Sequence, residues 1–588
     1  MRIPQAALDN LHLLTAETAA QCVSLRKAVI NVDASRLKQI LDRAGHVANF
    51  KSRIQTRCIE TIAANNDLQE RHKIQLLETA EIAHQLERVT DKFRDFARQL
   101  LEVKHTTRFP GARFKTALAR VRETLVLLQQ LPMPPTESHV ALGISQSADR
   151  LDKQSKKLHA EFVDKLENTT ESVSDLGQGL LMANALRQMG TALQEISDCL
   201  LSIQLGQSMH TDRYKSLQAV MTSHPSVAEA LITPIADTRS GGAVAGLMRK
   251  EGEKPSAVFK EGLKRKLKKE RQGVKNWHTL FPGLAPRILA HDRQGNQAAL
   301  LIEHLPGVTF EQCMIDGSDE QLEAAFSALR KTLRDVWRTT LSPQRVSAGF
   351  TSQLQKRLPD IRSTHPTLLA DGARIGRLRH PNFEQVVKRA AQLEKKVVAP
   401  FSVYIHGDFN VDNILYDPEG DRIHFVDLHR SQHMDYVQDV SVFIVSCFRQ
   451  PGQGESFRKR VWRVSSDMHK AARRFAQQNG DSSYEFRLAL GLARSLATST
   501  RFIADANLSR GMLARSRYLL ERCLEMDTSE VENFRIPLKE LLHGCPLVTQ
   551  NCRGRYRRKM VHRVPGRCAG AAHGLSTGNR HYPGHVGP

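Results

Sequence analysis

Between Leu8 and about Gly206 the apolar residues of this chain return every three or four positions, as in LLETAEIAHQLERVTDKFRDFARQLL. That period puts one apolar stripe on each helix, so the stretch predicts helices that bury their stripes against one another. Asn65-Asn66-Asp67, Phe109-Pro110-Gly111 and Leu131-Pro132-Met133-Pro134-Pro135 interrupt it, giving several long helices with short connections. No strand alternation intrudes. From about Tyr214 to Thr233 the period weakens around His224-Pro225, and beyond it alternating apolar residues and glycines take over. A chain that changes period in this way folds as two architectures in series. At 588 residues it also exceeds what one hydrophobic core usually serves. We expect an all-helical bundle over 1–215, a linker over 216–235, a small β-rich lobe over 236–305, a larger lobe over 306–544 and a tail over 545–588.

Composition narrows the function classes. With 40% hydrophobic and 25% charged residues the chain reads as soluble and globular. The apolar run VSVFIVSCF falls far short of the ~20 residues a spanning helix needs. MRIPQAALDNLH has no charged region followed by an apolar one, so no secretory signal is read and the cytoplasm is expected. Nine cysteines stand singly from Cys22 to Cys568 without a CxxC pair, as reduced structural thiols do. The net charge is +23, and eight of those charges lie in Cys545–Pro588, which holds no Asp or Glu. The remaining +15 suits anionic ligands or an acidic membrane surface. The tail has no apolar period and reads as disordered, and its abrupt start also fits a shifted reading frame. Its Cys552, His562, Cys568 and His573 match no standard zinc spacing. The run LKRKLKKER reads as a solvated helix face, because no aromatic platform accompanies it as in nucleic-acid binders.

The stretch richest in chemistry is YIHGDFNVDNILYDPEGDRIHFVDLHRS, Tyr404 to Ser431. It reads as a strand, a polar loop, and a hairpin whose last strand ends at Asp427. Phosphoryl transfer asks a protein for a carboxylate at the attacking hydroxyl and oxygen ligands for Mg2+. Asp408, Asn413 and Asp427 fit those tasks; the other reading is a hairpin whose Asp and Asn side chains cap turns. Upstream, PIADTRSGGAVAGLMRKEGEKPSAVFKEG reads as strands around a glycine turn. Gly241, Gly242 and Gly246 would admit phosphates to backbone amides, or simply make a loose turn.

His406, Gly407, Asp408, Asn413 and the later Asp427 resemble the His-Gly-Asp-x4-Asn loop and following Asp of the aminoglycoside phosphotransferase and choline kinase family. The resemblance implies a two-lobed α+β protein-kinase-like fold and ATP as phosphoryl donor. It implies that Asp408 orients or deprotonates an acceptor hydroxyl, that His406 braces the loop, and that Asn413 and Asp427 hold Mg2+ on the ATP phosphates. Lys260 in AVFKEG resembles the family's phosphate-binding lysine, Glu270 is the candidate to orient it, and backbone at Glu303-His304-Leu305 would meet the adenine. Asp439 matches an Asp on the helix after the metal strand. Where many members carry a second acid, this chain has His429. The implied acceptor is a small amino-alcohol, sugar or aminoglycoside-like hydroxyl.

In the helical part, QLERVTDKF around Asp91 recurs weakly as LQEISDCLL around Asp198, and Glu87 and Asp91 form a Glu-x3-Asp pair on one helix face. With that pattern, residues 1 to about 215 resemble the PhoU-like phosphate-signalling family, whose halves each carry such a motif. The second half has Gln194 at the Glu position, and His84 precedes Glu87 where an Asp is common. Glu87 and Asp91 either share a cation or form a solvated face with Arg88 and Lys92. The reading is thus an ATP-dependent kinase of small-molecule hydroxyls with a helical regulatory domain that engages a protein partner. The alternative is a non-catalytic nucleotide-binding regulator in phosphate-related signalling.

Overall fold

A computed structural model describes residues 3–542 apart from 66, 106–108, 131–137, 169–171, 223–230, 238–242, 249–256, 295–296, 370–373, 380 and 451–453. Gly241, Gly242, His224-Pro225 and the tail lie outside the described residues. The chain forms two compact units, Met1–Gly307 with His424–Arg430, and Val308–Ile423 with the chain from Ser431.

The first unit opens with α1 (Gln5–Asn31), α2 (Ala34–Asp42), α3 (Ala44–Ala63), α4 (Glu70–Leu101), α5 (Gly111–Gln130), α6 (Ser138–Asn168) and α7 (Val173–Leu205). This is the expected all-helical bundle. Buried Leu86, Val89, Phe93, Phe96 and Leu100 follow the three–four spacing along α4, and Leu186, Met189, Leu193, Ile196 and Leu200 follow it along α7. Phe96 and Phe114 meet edge to face at 5.4 Å within this core.

The described parts of the stretch expected as a linker are structured. Thr211–Thr222 is a helix, α8, and β1 (Leu231–Asp237) begins before residue 236. The physical reason is burial: Leu217 is fully enclosed, so α8 has a core of its own to enter. After β1 come β2 (Ala243–Met248), β3 (Ala257–Leu263), α9 (Lys264–Leu280), β4 (Ile288–Gln294) and β5 (Gln297–Glu303). The strands form one antiparallel sheet in the order β1-β2-β3-β5-β4. Lys260 on β3 sits opposite Val244 and Leu300. Alternation along the strands splits the apolar residues between two faces. Ala257, Phe259, Ala299 and Leu301 gather with Leu217 of α8, and Ala298, Leu300 and Ile302 with Leu267 of α9.

His424–Arg430 belongs to this unit although its flanking chain does not. Phe425 N–H donates to the Leu284 carbonyl at 2.8 Å, and its ring meets Trp277 edge to face at 5.4 Å. On α9, a Cβ on Gly273 would lie 2.2 Å from the Leu428 carbonyl oxygen, so glycine there lets helix and segment touch.

The second unit holds β6 (Val308–Thr309), α10 (Phe310–Ile315), α11 (Asp319–Thr340), α12 (Phe350–Gln355), α13 (Leu358–Thr364), β7 (Arg374–Ile375), β8 (Leu378–Arg379) and α14 (Phe383–Glu394). β9 (Val403–Ile405), β10 (Ile414–Asp417), β11 (Arg422–Phe425, along which the chain passes between units) and β12 (Gln432–Met434) follow. It ends with α15 (Val437–Phe448), α16 (Glu455–Gln478), α17 (Tyr484–Ser499), α18 (Ala506–Leu524) and α19 (Leu538–Leu542). β9 pairs antiparallel with β12, and β10 with β6. VSVFIVSCF lies in α15, every residue of which is buried. Among the described residues no helix is long and apolar enough to cross a membrane.

Candidate active site

In the first unit, three of the singled-out residues come together. Lys260 Nζ donates to Glu270 Oε1 at 2.5 Å and to Asp427 Oδ1 at 3.0 Å. β3 supplies the lysine, α9 the glutamate, and the inserted segment the aspartate. Lys260 and Glu270 are 8% and 3% exposed, so their charges depend on one another rather than on water. Burial alone would push the Lys260 ammonium down, but Glu270 and Asp427 together hold it above the usual lysine value. Burial likewise works against the Asp427 carboxylate, yet the bond from His429 and the charge of Lys260 hold its pKa well below the usual range.

Asp427 adopts φ 61°, the left-handed region that a non-glycine residue rarely enters. Such a conformation costs of order 1–3 kcal/mol and persists where surrounding bonds fix it. Here they are a chain: Arg430 Nε donates to His429 Nε2 at 3.2 Å, and His429 Nδ1 donates to Asp427 Oδ1 at 3.0 Å. His429 therefore stands where a second acid was sought and acts as a donor to the first. Both His429 and Lys260 use Oδ1, which leaves Asp427 Oδ2 outside these bonds.

In the second unit, β9 ends in the loop carrying His406, Asp408 and Asn413. His406 is buried, and its Nδ1 accepts the Asp408 N–H at 3.3 Å. Gly407 has φ 82°, a turn glycine is suited to make. Fully buried Asp439 on α15 accepts the N–H groups of His406 and Gly407 at 2.7 and 2.8 Å. Burial pushes the Asp439 carboxyl up to about 7 despite those two donors, and the nearby Asp408 charge adds to the rise. Asn413 sits on a 3-10 turn, Val411–Asn413, and donates its Nδ2–H to the Asp408 carbonyl at 2.9 Å. Its amide oxygen is not needed for that bond. Asp408 Oδ1 accepts from Asn410 Nδ2 at 3.0 Å, and Asn410 Oδ1 accepts from Arg449 at 3.0 Å. Sequence reasoning passed over Asn410 and Arg449; Asn410, two residues after Asp408, was the available signal.

Residues 270–478 match the model of the phosphotransferase enzyme family. Over those residues the chain matches a phosphotransferase-family domain. No curated protein sequence matches the chain. Among solved structures it is similar to PhoU, the phosphate transport system regulatory protein of Streptococcus pneumoniae, at 16% identity and TM-score 0.32, over 34% of this chain and 95% of that one. It is similar to aminoglycoside-3'-phosphotransferase of type VIII at 17% identity and TM-score 0.32, over 50% and 100%. It is also similar to an ethanolamine kinase of Plasmodium vivax at 10% identity and TM-score 0.28, over 63% and 93%.

The phosphotransferase-family domain implies a nucleotide and a cation, and the donor atoms suit both. Asp427 Oδ2 in the first unit and the Asn413 amide oxygen in the second are each a hard donor of the kind Mg2+ takes. Glu270 Oε2 is buried without a hydrogen-bond partner, so a charged atom beside Lys260 has bonding capacity to spare. Of the other expected nucleotide contacts, Gly246 is buried on β2 opposite Val258. The Glu303 side chain is held by Arg287, at 3.1 and 3.0 Å from Nε and Nη2, and the Glu303 N–H by the Arg287 carbonyl at 2.9 Å. Leu305 follows, half-buried, beyond the end of β5.

In the bundle, Glu87 is bonded to Lys51 at 2.7 Å and Asp91 to Arg94. Asp198 accepts from His210 and Thr211. Among the described residues no three His, Cys, Asp or Glu side chains are grouped to hold a metal. The six described cysteines, Cys22, Cys58, Cys199, Cys313, Cys447 and Cys523, are free and buried.

Proposed function

We propose that the phosphotransferase-family domain moves the γ-phosphoryl group of ATP to a hydroxyl of a small molecule in the cytoplasm. The observation that carries this reading is the buried bonding of Lys260 to Glu270 and to a backbone-strained Asp427. A lysine fixed at its tip by two carboxylates has a defined position from which to meet a phosphate once a cation offsets the excess negative charge. Asp408 is the base that orients or deprotonates the hydroxyl, with Asn410 holding its Oδ1. Asn413 and Asp427 would hold Mg2+, which supplies charge neutralisation on the phosphates when bound. His406 and Asp439 keep the loop backbone in place. Gly241, Gly242 and Gly246 would line the phosphates, and Glu303 and Leu305 the adenine. The helical bundle regulates this activity and offers a face to a protein partner.

The test is Mg2+-dependent turnover of γ-labelled ATP against a pool of hydroxyl acceptors. Asp408→Ala is expected to lower transfer by about 1,000-fold or more while leaving ATP binding near wild type. Equal loss of binding and transfer would remove Asp408 from the role of base. ATP binding without transfer or hydrolysis by the wild-type protein would favour the non-catalytic regulator.

A further inference from the structure

α8 connects the bundle to the strand that carries Lys260, and both ends of the connection lie in the first unit. At the bundle end, Asp198 of α7 holds the start of α8. Its Oδ1 accepts the Thr211 N–H at 2.8 Å and the Thr211 hydroxyl at 2.6 Å, and its Oδ2 lies 2.8 Å from His210 Nδ1. At the sheet end, Leu217 packs with Ala257, Phe259, Ala299 and Leu301, and Met221 packs against the same cluster. Arg213 lies 3.5 Å from Glu261, and Ser216 of the same helix also hydrogen-bonds that carboxylate.

Side chains on a strand alternate between faces. Phe259 and Glu261 therefore point to α8, and Lys260 between them points to the face where Glu270 and Asp427 lie. α8 grips β3 immediately on both sides of Lys260, through one apolar and one ionic contact. We infer that Arg213 and Leu217 are positioning residues for Lys260, and that α8 transmits the state of the helical bundle to the nucleotide-binding strand. The inference rests on Lys260 being the nucleotide lysine proposed above. A shift of α8 would displace β3 and, with it, the ammonium that Glu270 and Asp427 hold from the other side. A ligand or partner acting on the bundle thereby gains a route to nucleotide affinity.

The experiment measures Mg2+-ATP affinity, and the KM for ATP against kcat, on the full chain carrying Leu217→Ala, Arg213→Ala, Arg213→Lys or Lys260→Ala. Backbone hydrogen exchange is followed in parallel. Leu217→Ala and Arg213→Ala are expected to weaken ATP binding about 10-fold, with KM rising and kcat changing little, and Arg213→Lys to recover most of the loss. Exchange in β3 should quicken while α4 and α7 exchange as in the wild type, which separates a moved strand from an unfolded bundle. If both alanine variants bind ATP as the wild type does while Lys260→Ala does not, α8 has no positioning role and the nucleotide lysine stands. If Lys260→Ala binds as tightly as the wild type, Lys260 is not the nucleotide lysine and the inference falls with it.

Discussion

Removing the cation from the Lys260, Glu270 and Asp427 group leaves two carboxylates worse placed than in water. Lys260→Met would set a buried glutamate against a second carboxylate with no cation between them. Breaking a buried pair on one side costs about 3–5 kcal/mol. Chemical denaturation of Lys260→Met should show a loss of that size, whereas an exposed lysine such as Lys264 should lose under about 0.5 kcal/mol on the same change. The three residues were singled out through the resemblance to the family's motifs, with sequence context beside it: a lysine in an alternating run, an acid in the following helix, an aspartate closing a hairpin. The chains that aim them were not. Arg430 to His429 to Asp427, and Arg449 to Asn410 to Asp408, depend on which ring nitrogen or amide atom faces which neighbour. Periodicity is silent about that.

At the scale of elements, the same substitution should have opposite signs at two helical glycines. Alanine in place of glycine in a helix gains about 0.5–1 kcal/mol where space permits. Gly177 in α7 has nothing within 4 Å of an added Cβ, so Gly177→Ala should stabilise by about that amount. At Gly273 the added atom meets the Leu428 carbonyl, a backbone group that moves only if the segment carrying Asp427 moves. Overpacking of this kind costs about 1–3 kcal/mol, so Gly273→Ala should lower the melting temperature where Gly177→Ala raises it. α8 illustrates what a local pattern leaves unseen. A 12-residue helix without a clear apolar period resembles a linker until the sheet it covers is present. Its first turn also carries a pH dependence. The bond to Asp198 holds the His210 pKa above its ordinary 6.5, although burial works the other way. A histidine raised on folding contributes stability that is fully present below 6.5 and lost as pH rises through its folded value. The difference in melting temperature between wild type and His210→Ala should therefore be largest near pH 6 and shrink towards pH 9. A difference constant over that range would mean the pair does not titrate as bonded.

At the scale of the whole molecule, the opening run of helices ends at Thr222 and the strands begin at Leu231, but compactness divides the chain elsewhere. The bundle and the five-stranded sheet form one unit, and that unit borrows seven residues, His424–Arg430, from the middle of the other unit's sequence. No sequence period announces such a loan, because it depends on long-range packing: Phe425 on Trp277, Leu428 on Gly273, Asp427 on Lys260. A chain stopped at Gly307 keeps every residue of the bundle and the sheet yet lacks all three of these contacts. Within it, Glu270 and Lys260 would hold one another without Asp427, and the Trp277 ring and the α9 surface around Gly273 would be open to water. The bundle core is built wholly from residues before 215 and loses nothing. Hydrogen exchange on residues 1–307 should therefore show α4 and α7 protected as in the full chain, with β3 and α9 exchanging at least about 10-fold faster. Supplying a peptide of residues 420–432 should slow β3 and α9 again, and more so than the same peptide with Asp427→Asn. Equal protection of β3 and α9 in the fragment and the full chain would show that the borrowed segment decorates the sheet and does not hold it.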